Sequence, residues 1–183
     1  MASDKVAMTQ ADFLAFVALP EQFDKRLELI QGEVVDVPAN PFASHIAQLI
    51  AFYLRLFLHE NGLSGYITGE AGGYLIGGDV YVPNVAYTPR LSVQQGFEPI
   101  APLLAVEVIS DPNNVKEERA LRRKVAVYTS AGVTVWVVNP FERMVEVYRP
   151  QGGVELVDER GQLTGDAWLE GFHLALATIF AQE

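Results

Sequence analysis

Apolar and polar positions change period several times along this chain, and each change marks an element. Residues 9–17 (TQADFLAFV) place a capping threonine ahead of Phe13, Phe16 and Val17, which predicts a short amphipathic helix. Residues 26–37 (RLELIQGEVVDV) alternate on both sides of Gln31-Gly32, the pattern of a β-hairpin closed by a tight turn. Leu27 and Leu29 then face one way, and Glu28 faces the other with Ile30. At Asn40-Pro41 the period becomes helical: Asn is an N-cap, Pro suits the first helical position, and Ile46, Leu49, Ile50, Tyr53 and Phe57 carry the stripe to about Glu60, before Asn61-Gly62.

Residues 65–76 and 80–88 read as two strands around Gly77-Gly78-Asp79, the second interrupted by Pro83 as at an edge or bulge. Residues 89–102 hold three prolines and little periodicity, a loop of the kind that folds over a site. An apolar strand over 103–110 (LLAVEVIS) follows, then the cap-rich DPNN and a second helix over 115–130, closed by Gly132. Residues 133–139 form a buried strand and 144–149 an alternating one. A further strand is expected near 154–157, and the apolar end, 172–180, packs on the core. There are no internal repeats.

Composition narrows the classes. With 183 residues, half of them hydrophobic, the chain closes a sizeable core as one domain. It has no cysteine, which excludes disulfides, cysteine zinc sites and thiol nucleophiles and fits a reducing cytoplasm. No signal-like start and no run of about 18 apolar residues points to a membrane. The net charge of −10 opposes broad nucleic-acid binding, so such contact needs a local basic strip such as Arg119, Arg122 and Arg123, or a metal ion.

The chemistry centres on Glu107, a carboxylate between valines in an apolar strand, which costs free energy unless its charge is paired. On the second helix, Leu121, Val125 and Tyr128 form the buried stripe, and Lys116, Arg119 and Arg123 project away from it as solvated surface. Lys124 falls on the stripe's flank, where its ammonium can reach Glu107 as a structural ion pair or a catalytic one. Taken singly, Glu28 reads as an exposed strand residue, His45 as a packed or capping side chain, Ser110 as a loop cap, and Trp136, Tyr128 and Tyr148 as packing.

The ordered set carries more than its members. R-x-E-L-I-x-G-E at 26–33, His45, Pro83-Asn84, E-V-x-S at 107–110, K-x-x-x-Y-x-x-x-G-V at 124–133 and W-V-V-N-P at 136–140 resemble the Uma family of putative restriction-endonuclease-like proteins, within the PD-(D/E)XK nuclease superfamily. The resemblance implies an α/β fold with a restriction-endonuclease-like core, two long helices on a curved mixed sheet, and an N-terminal helix plus hairpin. It also implies a Mg²⁺- or Mn²⁺-dependent endonuclease acting on DNA. The chain is further expected to be cytoplasmic and to form a homo-oligomer, a dimer. By position, Glu107 and Asn84 correspond to the metal ligands, Glu28 to an auxiliary acid, and Lys124 to the lysine that orients the attacking water. Asn84 stands where the family has aspartate, and Ile109 where a simple E-x-K strand would have lysine. The loss of charge at Asn84 weakens the expected metal site and leaves a second reading, a degenerate nuclease fold serving as a binding or assembly module.

Overall fold

The computed structural model describes residues 7–36, 40–93 and 95–181. Helix α1 (Gln10–Val17) starts from a capping box in which Thr9 and Asp12 satisfy each other's backbone N–H groups, and it buries Phe13. It leads to the hairpin β1 (Leu27–Ile30) and β2 (Glu33–Asp36). Gln31 (φ 52°) and Gly32 (φ 77°) make the turn with two consecutive left-handed residues, and a β-carbon at Gly32 would lie 2.6 Å from that of Ala7. The hairpin's expected end at Val37 lies outside the described residues.

The two strands expected over 65–76 and 80–88 are four. β3 (Tyr66–Gly69) and β6 (Val85–Thr88) pair with each other, as do β4 (Tyr74–Ile76) and β5 (Asp79–Tyr81), but in different sheets. The chain crosses between sheets on either side, and Pro83 lies in the second crossing, where no ladder N–H is required. β7 (Leu104–Val108), α3 (Val115–Ser130) and β8 (Thr134–Asn139) follow, then β9 (Met144–Tyr148) and β10 (Val154–Asp158). The apolar tail supplies β12 (His173–Ala175), paired with an unforeseen β11 (Gln162–Thr164), and α4 (Leu176–Phe180), which packs on the core.

The larger sheet runs β10-β9-β8-β7-β6-β3 and is mixed, because β7 and β8 are parallel and the other pairs antiparallel. A parallel neighbour requires a crossover, and α3 is that crossover. Helix α2 (Pro41–Glu60) covers one face, with Ile46, Ile50 and Leu54 against Leu104, Val106 and Trp136. By length and composition α2 could cross a membrane, but seven of its side chains are buried. Helix α3 covers the opposite face, where Leu121, Val125 and Tyr128 meet Ala105, Val135 and Val137. Gly132 (φ 84°) ends it in the left-handed conformation. The smaller sheet, β2-β1-β5-β4, lies beside α3.

β1 and β7 are therefore covered on both sides. On β1, Leu27 and Leu29 turn toward Phe13 and Val80, while Ile30 turns to the α3 side. Glu28 is not an exposed strand residue, since it is buried on that same α3 side. Among the described residues, the loop over 89–102 does not border the pocket described below. It is held by Glu98, whose carboxylate accepts from the Ser92 hydroxyl and from the backbone N–H groups of Ser92 and Ile100.

Candidate active site

Two consecutive elements, β7 and α3, and the distant β1 deliver three charges to one point. Because side chains alternate along β7, Leu104, Val106 and Val108 serve the α2 core, and Glu107 is sent to the α3 side. Lys124 rises from α3 one turn before Tyr128. Its Nζ lies 2.7 Å from Glu107 Oε1 and 2.8 Å from Glu28 Oε1. The Tyr128 hydroxyl donates to the same Glu107 oxygen at 3.1 Å, and the Val82 N–H donates to Glu28 Oε1 at 2.6 Å. All three charged side chains are buried. The flank position of Lys124 and its resting ion pair with Glu107 are as the helical spacing predicts.

Two carboxylates and one ammonium leave the trio one negative charge in excess. Burial, joined by the charge of Glu28, pushes the Glu107 carboxyl up to about 7, although Lys124 and Tyr128 pull the other way. Burial alone would lower the Lys124 ammonium, but Glu107 and Glu28 hold it above the ordinary lysine range. Burial and then the Glu107 charge keep Tyr128 a neutral hydroxyl, well above the usual phenol value. Tyr81 lies against it with ring centroids 5.3 Å apart.

These groups border a pocket of about 350 Å³ at the carboxyl end of β7, and Glu28, Asn84, Glu107 and Lys124 all line it. Asn84 stands immediately before β6. Its Oδ1 accepts from the Val108 N–H at 2.7 Å, which ties the start of β6 to β7, and its Nδ2 donates to Glu70 at 3.4 Å. Glu70 in turn is paired with Arg26. Glu107 Oε2 receives no hydrogen bond among the described residues, so one oxygen of this carboxylate remains for the pocket. Among the described residues no three His, Cys, Asp or Glu side chains gather as a metal cage. The available donors are hard oxygens, and magnesium is commonly held by one or two carboxylates with water and substrate phosphate completing its shell.

His45 is exposed and does not line the pocket. Ser110 is bound to the Glu117 carboxylate at 2.9 Å from both its N–H and its hydroxyl, which fixes the loop leaving β7. Arg123 is not simply solvated, since it reaches Glu33 on β2 at 2.9 Å, and Lys116 borders the pocket. The helical stripe places Tyr128 among the packing residues, yet its position four residues after Lys124 is the signal that both share a helix face. Glu70 gives no such signal, since only the crossing between sheets brings it to Asn84.

A protein-family model described as a putative restriction endonuclease family, Uma2, matches residues 13–177. A crystal structure described as a putative nuclease belonging to DUF820, from Anabaena variabilis, matches with a TM-score of 0.78 at 21% identity, over 94% of this chain and 97% of that one. No curated protein matches the chain.

Proposed function

Because the chain belongs to the Uma2 family of putative restriction endonucleases, we propose that it is a magnesium-dependent endonuclease, hydrolysing phosphodiester bonds of DNA in the pocket bounded by Glu28, Asn84, Glu107 and Lys124. The observation that carries this reading is the meeting of Glu28, Lys124 and Glu107, from three elements, on the wall of an open pocket. Glu107 would hold the metal through its uncommitted oxygen. Asn84 would contribute through the remaining lone pair of its carbonyl oxygen, without charge. When bound, magnesium lowers the pKa of a water and stabilises charge on the phosphate.

The protein's own groups account for the rest. An ammonium has three donors, and two of those on Lys124 point to carboxylates, so one remains to orient a water or a phosphate oxygen. Glu28, itself fixed by the Val82 N–H, holds Lys124 in that position. Tyr128 fixes the rotation of Glu107. The surrounding burial strengthens each of these interactions relative to water.

A second reading, a degenerate nuclease fold acting as a self-associating module, is favoured by one observation: the Asn84 oxygen is already bonded to the Val108 N–H. A plasmid-cleavage assay with Mg²⁺ or Mn²⁺ separates the two. The enzyme reading expects slow cleavage by the wild type, faster cleavage by Asn84→Asp, and none by Glu107→Gln. Cleavage that persists unchanged in Glu107→Gln would remove the site assignment. An inert wild type beside an active Asn84→Asp would establish the degenerate reading.

A further inference from the structure

Most cations of this chain are already partnered. Arg26, Arg122, Arg123, Lys124, Arg143 and Arg149 form ion pairs, Lys25 donates to Gln22, and Arg55 donates to the Ile67 carbonyl. Among the described residues, Arg90, Lys116, Arg119 and Arg160 alone have no side-chain hydrogen bond or ion pair. Two of these four stand one turn apart on α3, beside the candidate site.

They line a groove of about 910 Å³ between α3 and β2. Lys116, Ala120, Val35 and Asp36 line both this groove and the pocket holding Lys124, so the two cavities share a wall. Residues 116, 119 and 123 fall within about 60° of one another around the helix and span roughly 10 Å of its axis. Lys124 stands about 80–140° around the helix from them, so α3 turns one cation inward and a cationic stripe outward. Among the described residues, four cations of α3 face the groove, opposed by Glu33 and Asp36 on β2 and by Glu118, which leaves one net positive charge there in a chain of −10. Arg123 is engaged by Glu33, and Arg122 by Glu146 and Tyr148; Lys116 and Arg119 are not engaged.

We infer that this groove is the track along which a nucleic-acid strand reaches the site, with Lys116 and Arg119 contacting consecutive phosphates. The inference rests on the nuclease reading for the occupant's chemistry. A strand of a duplex carries a phosphate about every 3.4 Å of axis, so the stripe spans roughly three. The placement also answers the opposition between an acidic chain and a polyanionic substrate, because two of the four unpaired cations stand together on the wall of the groove that adjoins the site.

The test measures binding of a labelled single-stranded oligodeoxynucleotide, and of the matching duplex, to the full chain in EDTA over a range of salt concentrations. Lys116→Ala/Arg119→Ala is compared with Arg90→Ala/Arg160→Ala, which removes the same charge from exposed positions elsewhere. At low salt the first variant is expected to bind at least about tenfold more weakly, and its log K against log salt slope to fall by about 1.4 for the single strand or about 1.8 for the duplex. The second variant should keep the wild-type slope. Equal losses in both variants, or no binding by the wild type at low salt, overturn the inference. Binding that depends on Lys116 and Arg119 without any cleavage in Mg²⁺ or Mn²⁺ upholds the track and removes the nuclease reading. Cleavage by the Lys116/Arg119 variant with unchanged KM removes the track and leaves that reading standing.

Discussion

The two long helices begin alike and end in different roles. Asn40 caps α2 by accepting from the N–H groups of Phe42 and Ala43, and Asn114 caps α3 by accepting from those of Lys116 and Glu117. Each then covers one face of the same sheet. α2 fills its buried positions with apolar side chains only, among them Ile46, Ile50, Leu54 and Leu58. α3 buries Lys124 and Tyr128 beside Leu121 and Val125, and both polar groups end on Glu107. α2 is therefore held by shape and hydrophobic transfer. Part of the α3 interface is held by a charge balance, which serves only if every partner is present.

The largest expected difference comes from removing that balance. Lys124→Met keeps the stem but leaves Glu28 and Glu107 buried without their cation. Breaking a buried pair in this way costs about 3–5 kcal/mol. Urea denaturation should show that loss, and any cleavage activity should fall by about 10²–10³, the range for losing one preorganised donor. A variant as stable as the wild type would mean that the trio does not hold α3 in place.

Next in size is the matching change on α2. Leu54 is fully buried among the core side chains, so Leu54→Ala is expected to cost about 2–5 kcal/mol through lost transfer energy and a cavity. Once folded, this variant should retain the wild-type kcat, because α2 contributes no charged group to the trio. A kcat that falls as far as in Lys124→Met would dissolve the contrast between the helices.

How much of this was legible in the sequence follows the same division. Local signals located α2 and α3 closely, because caps and a helical stripe act within a few residues. The hairpin turn was equally clear from Gln31-Gly32. The sequence also shows that Lys124 can reach Glu107, since one crossover joins their elements. It does not show that Glu28 is buried, because that depends on β1 being covered by α3, a contact between residues 96 apart. The splitting of 65–76 and 80–88 into four strands was hidden for a related reason: alternation reports which positions are apolar, not which of two sheets they join. At Asn84 the missing charge is plain from the residue type, but the bond to Val108 that already engages its oxygen is not.

The smallest effect, and the one that separates the helices most cleanly, is a dependence on pH that α2 has no group to produce at its buried positions. The folded Glu107 carboxyl titrates near 7, above the ordinary value of 4.5, so the native state binds this proton more tightly than the unfolded chain. Its contribution is fully present below about 4.5 and is lost as pH rises through about 7. In EDTA, the stability of the wild type should therefore fall relative to Glu107→Gln over that interval, by at most about 3 kcal/mol. Leu54→Ala should keep the wild-type pH dependence on a lower baseline. Parallel pH profiles for the wild type and Glu107→Gln would place the Glu107 titration outside this window. α3 would then be anchored by a permanently charged trio, rather than by one that takes up a proton near neutrality.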